Sequence, residues 1–390
     1  MKRWSTKPIG DLLKIQNGFA FESERFNDAK HGLPIIRIRD LARSYSETFY
    51  DGEHAAAYEV NDGDFLIGMD GEFRCYRWHG GKALLNQRVC RLRSFDPTLN
   101  ASYVFYGINR HLSEIEANTS FVTVKHLSSK QIAQIKMSVP PKAEQERIVK
   151  LLDEADGLRN LRGQADRSTA ALIPALFTQL FGDPTHIERM RWPFKPLGEF
   201  AKVSYGLADK LDATTKPENG TRILTISNIL LRGSIDTKVE KYSVIKPDER
   251  AKARLQKFDL LFNWRNGSEE HVGKTAIWEG QIGGEVLHVS FLLKIRADQS
   301  QANPYFLWAL INRLRATGYF TRNARMQINR KFNASELSAL KLPLPPLLLQ
   351  KEFAQGVTEI QELEASQATS RIRLHALFQS MLHRAFNGEL

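Results

Sequence analysis

The chain has 390 residues, and 55 basic against 44 acidic side chains give it a formal net charge of +11 at pH 7. Hydrophobic residues make up 42% and charged residues 25%, a globular composition that excludes disorder. The N-terminus lacks the apolar stretch of a signal peptide, and no apolar run is long enough to span a bilayer. Two cysteines, Cys75 and Cys90, are too few for a disulfide framework or a zinc site. We therefore expect two buried thiols in a cytoplasmic protein, with an anionic partner that the charge alone does not identify.

A sequence repeat divides the chain into two copies. The offset between matching blocks grows from 188 to 205, so the second copy has gained about 17 residues. The blocks that return in the same order are Trp4-x-x-x-Pro8-Ile-Gly10 to Gly18 as Trp192-x-x-x-Pro196-Leu-Gly198 to Gly206, Gly63-Asp64-Phe-Leu-Ile as Phe258-Asp259-Leu-Leu-Phe, Ile108-Asn-Arg110 as Ile311-Asn-Arg313, and Val139-Pro140-Pro141 with Gln145 as Leu344-Pro345-Pro346 with Gln350. This order predicts a tandem duplication.

The first zone of each copy mixes short β-branched and aromatic runs with turns rich in Gly, Asp and Asn, a pattern that predicts strands. Amphipathic periodicity predicts helices at Tyr103–Leu112 and Pro304–Leu314. The predicted strands are Leu33–Ile38, Asp64–Ile67, Asn86–Leu92, Arg222–Ser227, Asp259–Phe262 and Val286–Ile295. Each copy therefore begins with a globule of the mixed α/β (α+β) class.

The second zone of each copy is predicted to be one long helix. Apolar residues recur in steps of three and four, as in the a/d seam of a coiled coil. A helix of about 38 residues is roughly 57 Å long, and we expect the two helices to pack against each other; that each lies on its own globule is the alternative. Polar residues at a seam can fix register, and Pro174 is expected to kink the first helix. The predicted stripes are Ile148, Leu151, Leu152, Ala155, Leu158, Ala165, Leu172 and Leu176 in the first helix and Phe353, Val357, Ile360, Leu363, Leu374, Leu377 and Met381 in the second, interrupted by Arg162, Thr169 and Gln367.

The positive charge lies on the two globules. Residues 1–141 carry +3 and residues 183–346 carry +9, whereas the helical zones 142–182 and 347–390 carry 0 and −1. Arg159, Arg162 and Arg167 are balanced by nearby acids and are expected to form a solvated surface. Globules that meet a polyanion and helices that only connect them would have this distribution.

The duplicated motifs resemble those of one family, the specificity (S) subunits of type I DNA restriction–modification enzymes. The resemblance extends over essentially the whole chain. Besides the paired openings and the Gly-Asp-Phe-Leu segment, the residues that carry it are Leu84-Leu-Asn-Gln-Arg-Val89, Pro140-Pro141-Lys-Ala-Glu144-Gln145, Phe181-Gly-Asp-Pro184 and Ala385-Phe-Asn-Gly-Glu-Leu390.

The resemblance implies two target-recognition domains, residues 1–141 and 183–346, that each read one half of a bipartite double-stranded DNA target. Two long antiparallel coiled-coil-like helices, residues 142–182 and 347–390, separate the domains, set the spacer and dock two methyltransferase (modification) subunits. Restriction (translocase) subunits complete the complex, and the S subunit itself performs no chemistry and needs no cofactor, metal or membrane. One departure is that the second helix begins Pro345-Pro-Leu-Leu-Leu-Gln350, without the acid that Glu144 supplies in the first. The apolar start that results is a candidate subunit contact.

Candidate DNA-contacting residues lie in the loops that follow the matched strands, because base edges are read mainly by Arg, Lys, Asn and Gln. The alternative for any one of them is a solvated surface residue. The sharpest cluster is 322–331, which contains no acid and matches 122–126 of the first copy. The candidates are Arg37, Arg39, Arg43, Arg74, Arg77, Thr123 and Lys125 in the first globule and Asn228, Arg232, Trp264, Arg265, Asn266, Lys274, Arg325, Gln327, Asn329, Arg330 and Lys331 in the second.

Two other classes of function stay open at this point: an enzyme, either a nuclease or an NTPase, and a coiled-coil scaffold that binds only proteins. Gly267 to Gly273-Lys274-Thr275 is one residue too long for a P-loop, and strand rather than helix is predicted to follow it. The sequence contains no His-Glu-x-x-His zinc motif, and Asp183-Pro184 continues with Thr-His rather than as a methyltransferase motif. A net charge of +9 on one globule is unexpected for a pure scaffold.

Overall fold

The structure is a computed structural model that describes residues 4–118, 126–208, 215–265, 268–323 and 333–390. It divides into two compact units. Unit 1 contains residues 1–163 and 369–390, and unit 2 contains residues 164–368. Both divisions fall inside a long helix, so each unit combines one globular part with a segment of both long helices.

The described residues of unit 1 form three sheets. A four-stranded antiparallel sheet has the order β2-β10-β7-β8, a five-stranded sheet has the order β3-β5-β4-β9-β6 with β4 and β9 parallel, and β1 pairs with β11. The strands are β1 (Ser5–Pro8), β2 (Lys14–Asn17), β3 (Phe26–Asn27), β4 (Leu33–Ile36), β5 (Phe49–Tyr50), β6 (Glu59–Val60), β7 (Phe65–Gly68), β8 (Cys75–Arg77), β9 (Ala83–Leu85), β10 (Val89–Arg93) and β11 (Lys136–Val139), and the helices are α1 (Ile38–Leu41), α2 (Ala101–Asn118), α3 (Ser129–Gln134) and the first part of α4 (Lys142–Ala170).

Strand β7 is buried on both faces and therefore separates two cores. Phe65 and Ile67 belong to the core under α2, while Leu66 packs into the core toward the second sheet. This follows from the two-residue period of a strand, which sends alternate side chains to opposite faces. A continuous apolar run such as Phe-Leu-Ile is the pattern of a strand covered on both sides.

Unit 2 contains a four-stranded antiparallel sheet of order β13-β19-β16-β17, a three-stranded sheet of order β15-β14-β18 with β14 and β18 parallel, and the pair β12-β20. The strands are β12 (Phe194–Pro196), β13 (Ala201–Tyr205), β14 (Thr221–Leu224), β15 (Tyr242–Ser243), β16 (Leu260–Asn263), β17 (Thr275–Ile277), β18 (Val286–His288), β19 (Leu292–Ala297) and β20 (Lys341–Pro343), and the helices are α5 (Leu172–Phe181), α6 (Pro247–Ala253), α7 (Pro304–Ala316), α8 (Tyr319–Asn323), α9 (Ala334–Ala339) and the first part of α10 (Leu347–Phe386).

The strand orders of the two units match, which confirms the tandem duplication. Strands β2-β10-β7-β8 correspond in order and direction to β13-β19-β16-β17, and the parallel pair β4-β9 corresponds to β14-β18. The repeated glycines Gly18 and Gly206 lie where two chain segments pass very closely. A Cβ atom there would lie 2.0 Å from the Asn86 carbonyl oxygen and 2.2 Å from that of His288, so only glycine fits.

The buried side-chain amides of two glutamines, Gln145 and Gln350, make equivalent hydrogen bonds in the two units. The side-chain carbonyl of Gln145 accepts a hydrogen bond from the backbone N–H of Asn100 (2.8 Å), and that of Gln350 accepts one from Asn303 (2.7 Å). Each glutamine also donates to the carbonyl of the proline five residues before it. Both glutamines are fully buried, so each ties the start of a long helix to the start of another helix of its own globule, α4 to α2 in unit 1 and α10 to α7 in unit 2.

Four strand predictions need correction, and the predicted helix kink is confirmed. The predicted strand Val286–Ile295 is two strands, β18 and β19, in different sheets, and the strand predicted from Asn86 begins only at Val89. The strands predicted from Leu33 and Arg222 end at Ile36 and Leu224, because a short helical turn follows each of them. The first long helix is interrupted at Ala171, between α4 and α5. Pro174 has no N–H to donate to the carbonyl four residues earlier, so the helix is weakened there.

The predicted apolar seam of each long helix is buried only over part of its length. Ile148 and Leu152 are part of the unit 1 core, and Phe353 and Val357 are part of the unit 2 core, so these stretches lie on their own globules. The seam residues farther along are exposed: Leu158 by 53%, Leu172 by 42%, Leu363 by 44% and Leu377 by 52%. Apolar side chains are buried here where a globular core meets the helix, and polar residues interrupt the stripe beyond it.

Within each unit the two helix segments run in opposite chain directions. In unit 1, Arg147 donates to the carbonyl of Leu390 (2.6 Å), and farther along α4 the guanidinium of Arg159 lies 4.3 Å from the ring centre of Phe378. In unit 2, Gln367 donates to Thr169, while Phe353, earlier on α10, packs against Phe177, later on the first helix.

Candidate nucleic-acid interface

Three segments of unit 1 meet at one end of the four-stranded sheet. The backbone N–H of Met69 donates to the carbonyl of Arg88 (3.0 Å), and that of Leu127 donates to the carbonyl of Met69 (2.7 Å). Asp70 and His126 form an isolated β-bridge. We call residues 69–74, 86–88 and 126–127 the edge loops of unit 1. The predicted DNA-contacting segment 122–126 leads directly into them.

Polar and charged side chains of the edge loops of unit 1 form a surface cluster around Asp70. Arg88 Nη1 lies 3.4 Å from one carboxylate oxygen of Asp70, and His126 Nδ1 lies 2.6 Å from the other. Arg74 is exposed beside Glu72 (3.9 Å), and its guanidinium lies 5.5 Å from the ring centre of Tyr76. This end of unit 1 therefore presents cations that are partly neutralised by neighbouring acids.

The matching loops of unit 2 are aromatic and cationic. Arg265, which takes the place of Asp70, lies with its guanidinium 4.1 Å from the ring centre of Phe291. Trp264 donates from Nε1 to the carbonyl of Ser290 (2.7 Å), and its ring packs edge-on against Tyr205. We call residues 264–265 and 289–291 the edge loops of unit 2. The start of helix α9 lies nearby, because the backbone N–H of Ala334 donates to the Tyr205 hydroxyl (3.2 Å). Arginine and aromatic faces held in this way can stack on bases or contact phosphates.

Helix α1 lies beside the edge loops of unit 1. Ile38 lies against Gly68, the last residue of β7. The fully buried carboxylate of Asp40 accepts from the backbone N–H of Arg37 (3.0 Å) and from the Arg43 guanidinium (3.2 Å), whose outer part is exposed. Arg39 is also exposed. Three of the predicted residues are thus gathered on one short helix and its two flanks, with Arg39 in α1, Arg37 before it and Arg43 after it.

Three candidate residues turn out to be structural. Asn228 is fully buried, and its side-chain amide donates to the carbonyls of Asp236 (2.9 Å) and Val239 (2.8 Å). Arg77 is half-buried and donates to Ser102 Oγ (2.8 Å), and its guanidinium packs over the rings of Phe65 and Phe105. The polar atoms of these side chains have internal partners. The prediction of DNA contacts at these positions, and at Lys274 below, is therefore corrected.

Lys274 is buried and donates from Nζ to the carbonyl of Ile226 (3.1 Å). Burial, and secondarily the charge of Arg315, lowers the pKa of Lys274. Strand β17 follows the lysine directly, as expected, rather than a helix with a free N-terminus. The segment therefore lacks the geometry with which a P-loop holds phosphates.

The remaining candidates are exposed, half-buried or outside the described residues. Arg232 is exposed and donates to Ser234 Oγ (2.7 Å), and Arg265 is half-buried in the edge loops of unit 2. Arg88, His126 and Tyr205 belong to the edge loops or contact them, but the sequence did not single them out. Arg88 belongs to the quoted motif 84–89, and that was the one signal available. Thr123, Lys125, Asn266, Arg325, Gln327, Asn329, Arg330 and Lys331 lie outside the described residues.

Other chemistry-bearing groups are few in the part of the chain that the structure describes. No three His, Cys, Asp or Glu side chains there group closely enough to hold a metal ion. Cys75 and Cys90 are free and buried, as predicted, and burial raises the pKa of the Cys90 thiol to about 12. No helix among the described residues is both long and apolar enough to cross a membrane.

The family model of the type I restriction modification DNA specificity domain matches the chain twice, at residues 1–164 and 190–373. The chain belongs to this family. The type I restriction enzyme EcoBI specificity subunit of Escherichia coli is 27% identical over 424 residues, which cover 99% of this chain and 86% of the relative.

Solved structures of the family have a similar fold. The type I restriction–modification S subunit from M. genitalium aligns over 98% of this chain and 96% of its own, with a TM-score of 0.57 and 13% identity. A chain from a structural study of complex assembly and conformational transition in a type I restriction–modification system aligns over 99% and 98%, with a TM-score of 0.61 and 15% identity.

Proposed function

We propose that the chain is the non-catalytic DNA-recognition subunit of a type I restriction–modification complex, in which each globule reads one half of a bipartite target. The single observation that carries this proposal is the double match of the DNA specificity domain to two units with the same strand order. A target with two different halves requires two globules that share a fold but differ in their surface side chains.

The edge loops and helix α1 are the surfaces that we propose to meet DNA. They present arginines from several chain segments at one end of a rigid sheet, an arrangement that suits phosphate positioning and base readout. We retain Arg37, Arg39, Arg43, Arg74, Arg232 and Arg265, and the candidates outside the described residues, as proposed contacts, and we add Arg88. Residues 183–346 carry a net charge of +9 and residues 1–141 a net charge of +3, which supports tighter binding of DNA by the second globule.

The two long helices are proposed to set the spacing between the half-sites. In this proposal the chain has four parts: recognition domains at 1–141 and 183–346 and antiparallel, coiled-coil-like spacer helices at 142–182 and 347–390. The opposite chain directions of the helix segments inside each unit support this arrangement. The burial of Phe353 and Val357 in one globular core and of Ile148 and Leu152 in the other supports a rigid attachment of helix to globule.

Two methyltransferase subunits are the proposed partners of the helices, with restriction subunits completing the complex. Large apolar side chains are exposed along the helices, an arrangement that usually marks an interaction surface. Leu348 at the apolar start of α10 is 81% exposed, and Leu158, Leu161, Ile372 and Leu377 in unit 1 are exposed as well. A partner that covers these side chains would remove apolar surface from water.

The test is co-expression of the chain with the methyltransferase subunits of its own system, followed by mapping of methylated adenines. We expect one bipartite motif with a fixed gap. No new methylation in the presence of a demonstrably active methyltransferase would contradict the proposal and would favour a protein-binding scaffold.

The purified chain alone is expected to show neither ATPase nor nuclease activity. ATP hydrolysis that disappears in Lys274→Ala would contradict the non-catalytic assignment and favour an NTPase. Binding of the full chain to duplex DNA should weaken steeply with salt, because phosphate contacts release counterions.

A further inference from the structure

Two polar side chains, Thr169 and Gln367, are buried where the helix segments of unit 2 meet. Thr169 is 4% exposed and Gln367 is 8% exposed, although the apolar seam residues nearest to them, Leu172 and Leu363, are 42% and 44% exposed. Hydrophobic burial therefore contributes little to the alignment of the helices at this level. Two helices with a sparsely packed apolar seam can pack in more than one register, so another interaction has to select a single register.

The two side chains form a single, directional bond. Gln367 Nε2 donates to Thr169 Oγ1 (2.9 Å), and that hydroxyl donates in turn to the carbonyl of Ala165 on its own helix (2.9 Å). The threonine hydroxyl thus donates its one proton within its own helix and accepts a hydrogen bond from the glutamine. A slide of one helical turn, about 5.4 Å, would break the bond and leave a buried amide without its partner.

The bond also breaks the internal symmetry of the duplication. An offset of 205 places Arg162 at the position of Gln367 and Leu374 at the position of Thr169. The same bond cannot form between Arg162 and Leu374, because a leucine side chain has no polar atom. The pair therefore defines one alignment of the helices that the repeated apolar pattern does not define.

We propose that the Thr169–Gln367 pair fixes the register of the two long helices and thereby gives the gap between the half-sites a single value. The part concerning the gap rests on the proposed function, in which the helices set the spacing. The part concerning register rests on the geometry of the pair. A polar pair in an apolar seam reduces stability but selects one alignment, and this is its best-attested use in coiled coils.

Register is measured by the distance between spin labels on Gln164→Cys and Ser366→Cys, two exposed positions on the two helix segments of unit 2. Both native cysteines are buried, so the chain without added cysteines supplies the baseline for labelling. We expect one narrow distance in the labelled parent. In Thr169→Val combined with Gln367→Leu we expect a second population, displaced by about 5 Å or a multiple of it.

Three controls separate register from folding. Ser168→Val with Gln355→Leu makes the same kind of change at exposed positions and should leave one distance. Thr169→Ser keeps the hydroxyl and should also keep one distance. Circular dichroism establishes that each variant is helical. One unchanged distance in a folded Thr169→Val/Gln367→Leu variant would overturn the proposal.

The gap is measured separately, by adenine methylation with the full chain and its methyltransferase subunits. We expect the double variant to keep both half-sites but to methylate targets with more than one gap, differing by about 1–3 base pairs at 3.4 Å per base pair. A changed register with an unchanged single gap would overturn the role of the pair in the gap and the spacer role of the helices. An unchanged register would overturn the proposed role of the Thr169–Gln367 pair and would not contradict the proposed function of the chain.

Discussion

Unit 1 and unit 2 share a framework and differ at its edge. Asn109 binds the backbone N–H and carbonyl of Cys75, and Asn312 does the same with Thr275, so the edge strand of each sheet is held in the same way. At the edge loops, by contrast, Asp70 is replaced by Arg265. Buried hydrogen bonds therefore maintain the fold in both copies, while surface side chains differ without disturbing it.

Helix α1 illustrates the same division. Asp40 uses its buried carboxylate to hold the arginines Arg37 and Arg43, whereas Asn228 at the matching position of unit 2 holds backbone carbonyls of the following loop. Both residues complete a capping box at the start of a short helix. The same backbone turn therefore displays two arginines in unit 1, while the residues matching them in unit 2 are uncharged.

The largest expected effect tests whether the units act independently of the helices between them. Deletion of one heptad in step from residues 148–172 and 353–377 should shorten the proposed spacer by about 10 Å, or about 3 base pairs. Both half-sites should stay the same, because neither edge loop is changed. Methylation mapping checks this, and a change in either half-site would contradict the division of labour between globules and helices.

The second effect tests the shared framework. Gln145→Ala and Gln350→Ala should each destabilise their own unit by about 3 kcal/mol, because buried backbone groups lose their partners. Denaturant unfolding combined with hydrogen exchange resolves the two units. The exposed Gln355→Ala is the control and should have little effect. If only one of the two substitutions lowers the free energy of unfolding of its unit, the two frameworks are not equivalent.

The third effect distinguishes the units by pH. Burial is the main cause that lowers the pKa of His288 to about 4, and unit 1 has Leu85 at the matching position. Because the folded pKa lies below the unfolded value of about 6.5, the unfolded state takes up the proton first, and stability falls as pH drops from 6.5 toward 4. We expect unit 2 to lose about 2 kcal/mol between pH 7 and pH 5 from this group.

The control for the pH effect is His288→Leu, which places the residue of unit 1 in unit 2. Hydrogen exchange of β18 and β19 at pH 7 and pH 5 should show a smaller difference in this variant than in the parent. An equal difference in both proteins would mean that other groups determine the pH dependence of unit 2.

The smallest effect tests the edge loops. Arg265→Ala should weaken binding to duplex DNA by about 1 kcal/mol and reduce the salt dependence. Asp70→Asn should strengthen binding by less than that, because the charge of Asp70 is already partly neutralised by Arg88. Fluorescence anisotropy at two salt concentrations measures both. Arg189→Ala removes an exposed arginine elsewhere on unit 2 and is the matched control. Equal losses of binding free energy in Arg265→Ala and Arg189→Ala would mean that net charge, and not the position of Arg265 in the edge loops, determines its contribution to DNA binding.

Much of the fold follows from local patterns. Apolar runs such as Phe65–Gly68 and Leu260–Asn263 mark central strands, and the repeat establishes that the two units are alike. The run Val286–Ile295 is divided between two sheets by a turn at 289–291, and the prediction of one strand is wrong because Val-Ser-Phe contains none of the Gly, Pro, Asn or Asp residues that mark most turns. The candidate site was less predictable, because residue type alone does not separate an exposed Arg39 from a buried Lys274.

The sequence by itself determined the duplication, the two mixed α/β globules, the long helices and the family, because these depend on residue order and on periods of two and 3.6 residues. The tertiary structure alone decided which polar residues are buried, which segments form the edge loops, and where Thr169 meets Gln367. These depend on contacts between residues far apart in the chain, 198 positions in the last case, and no local pattern encodes such a contact.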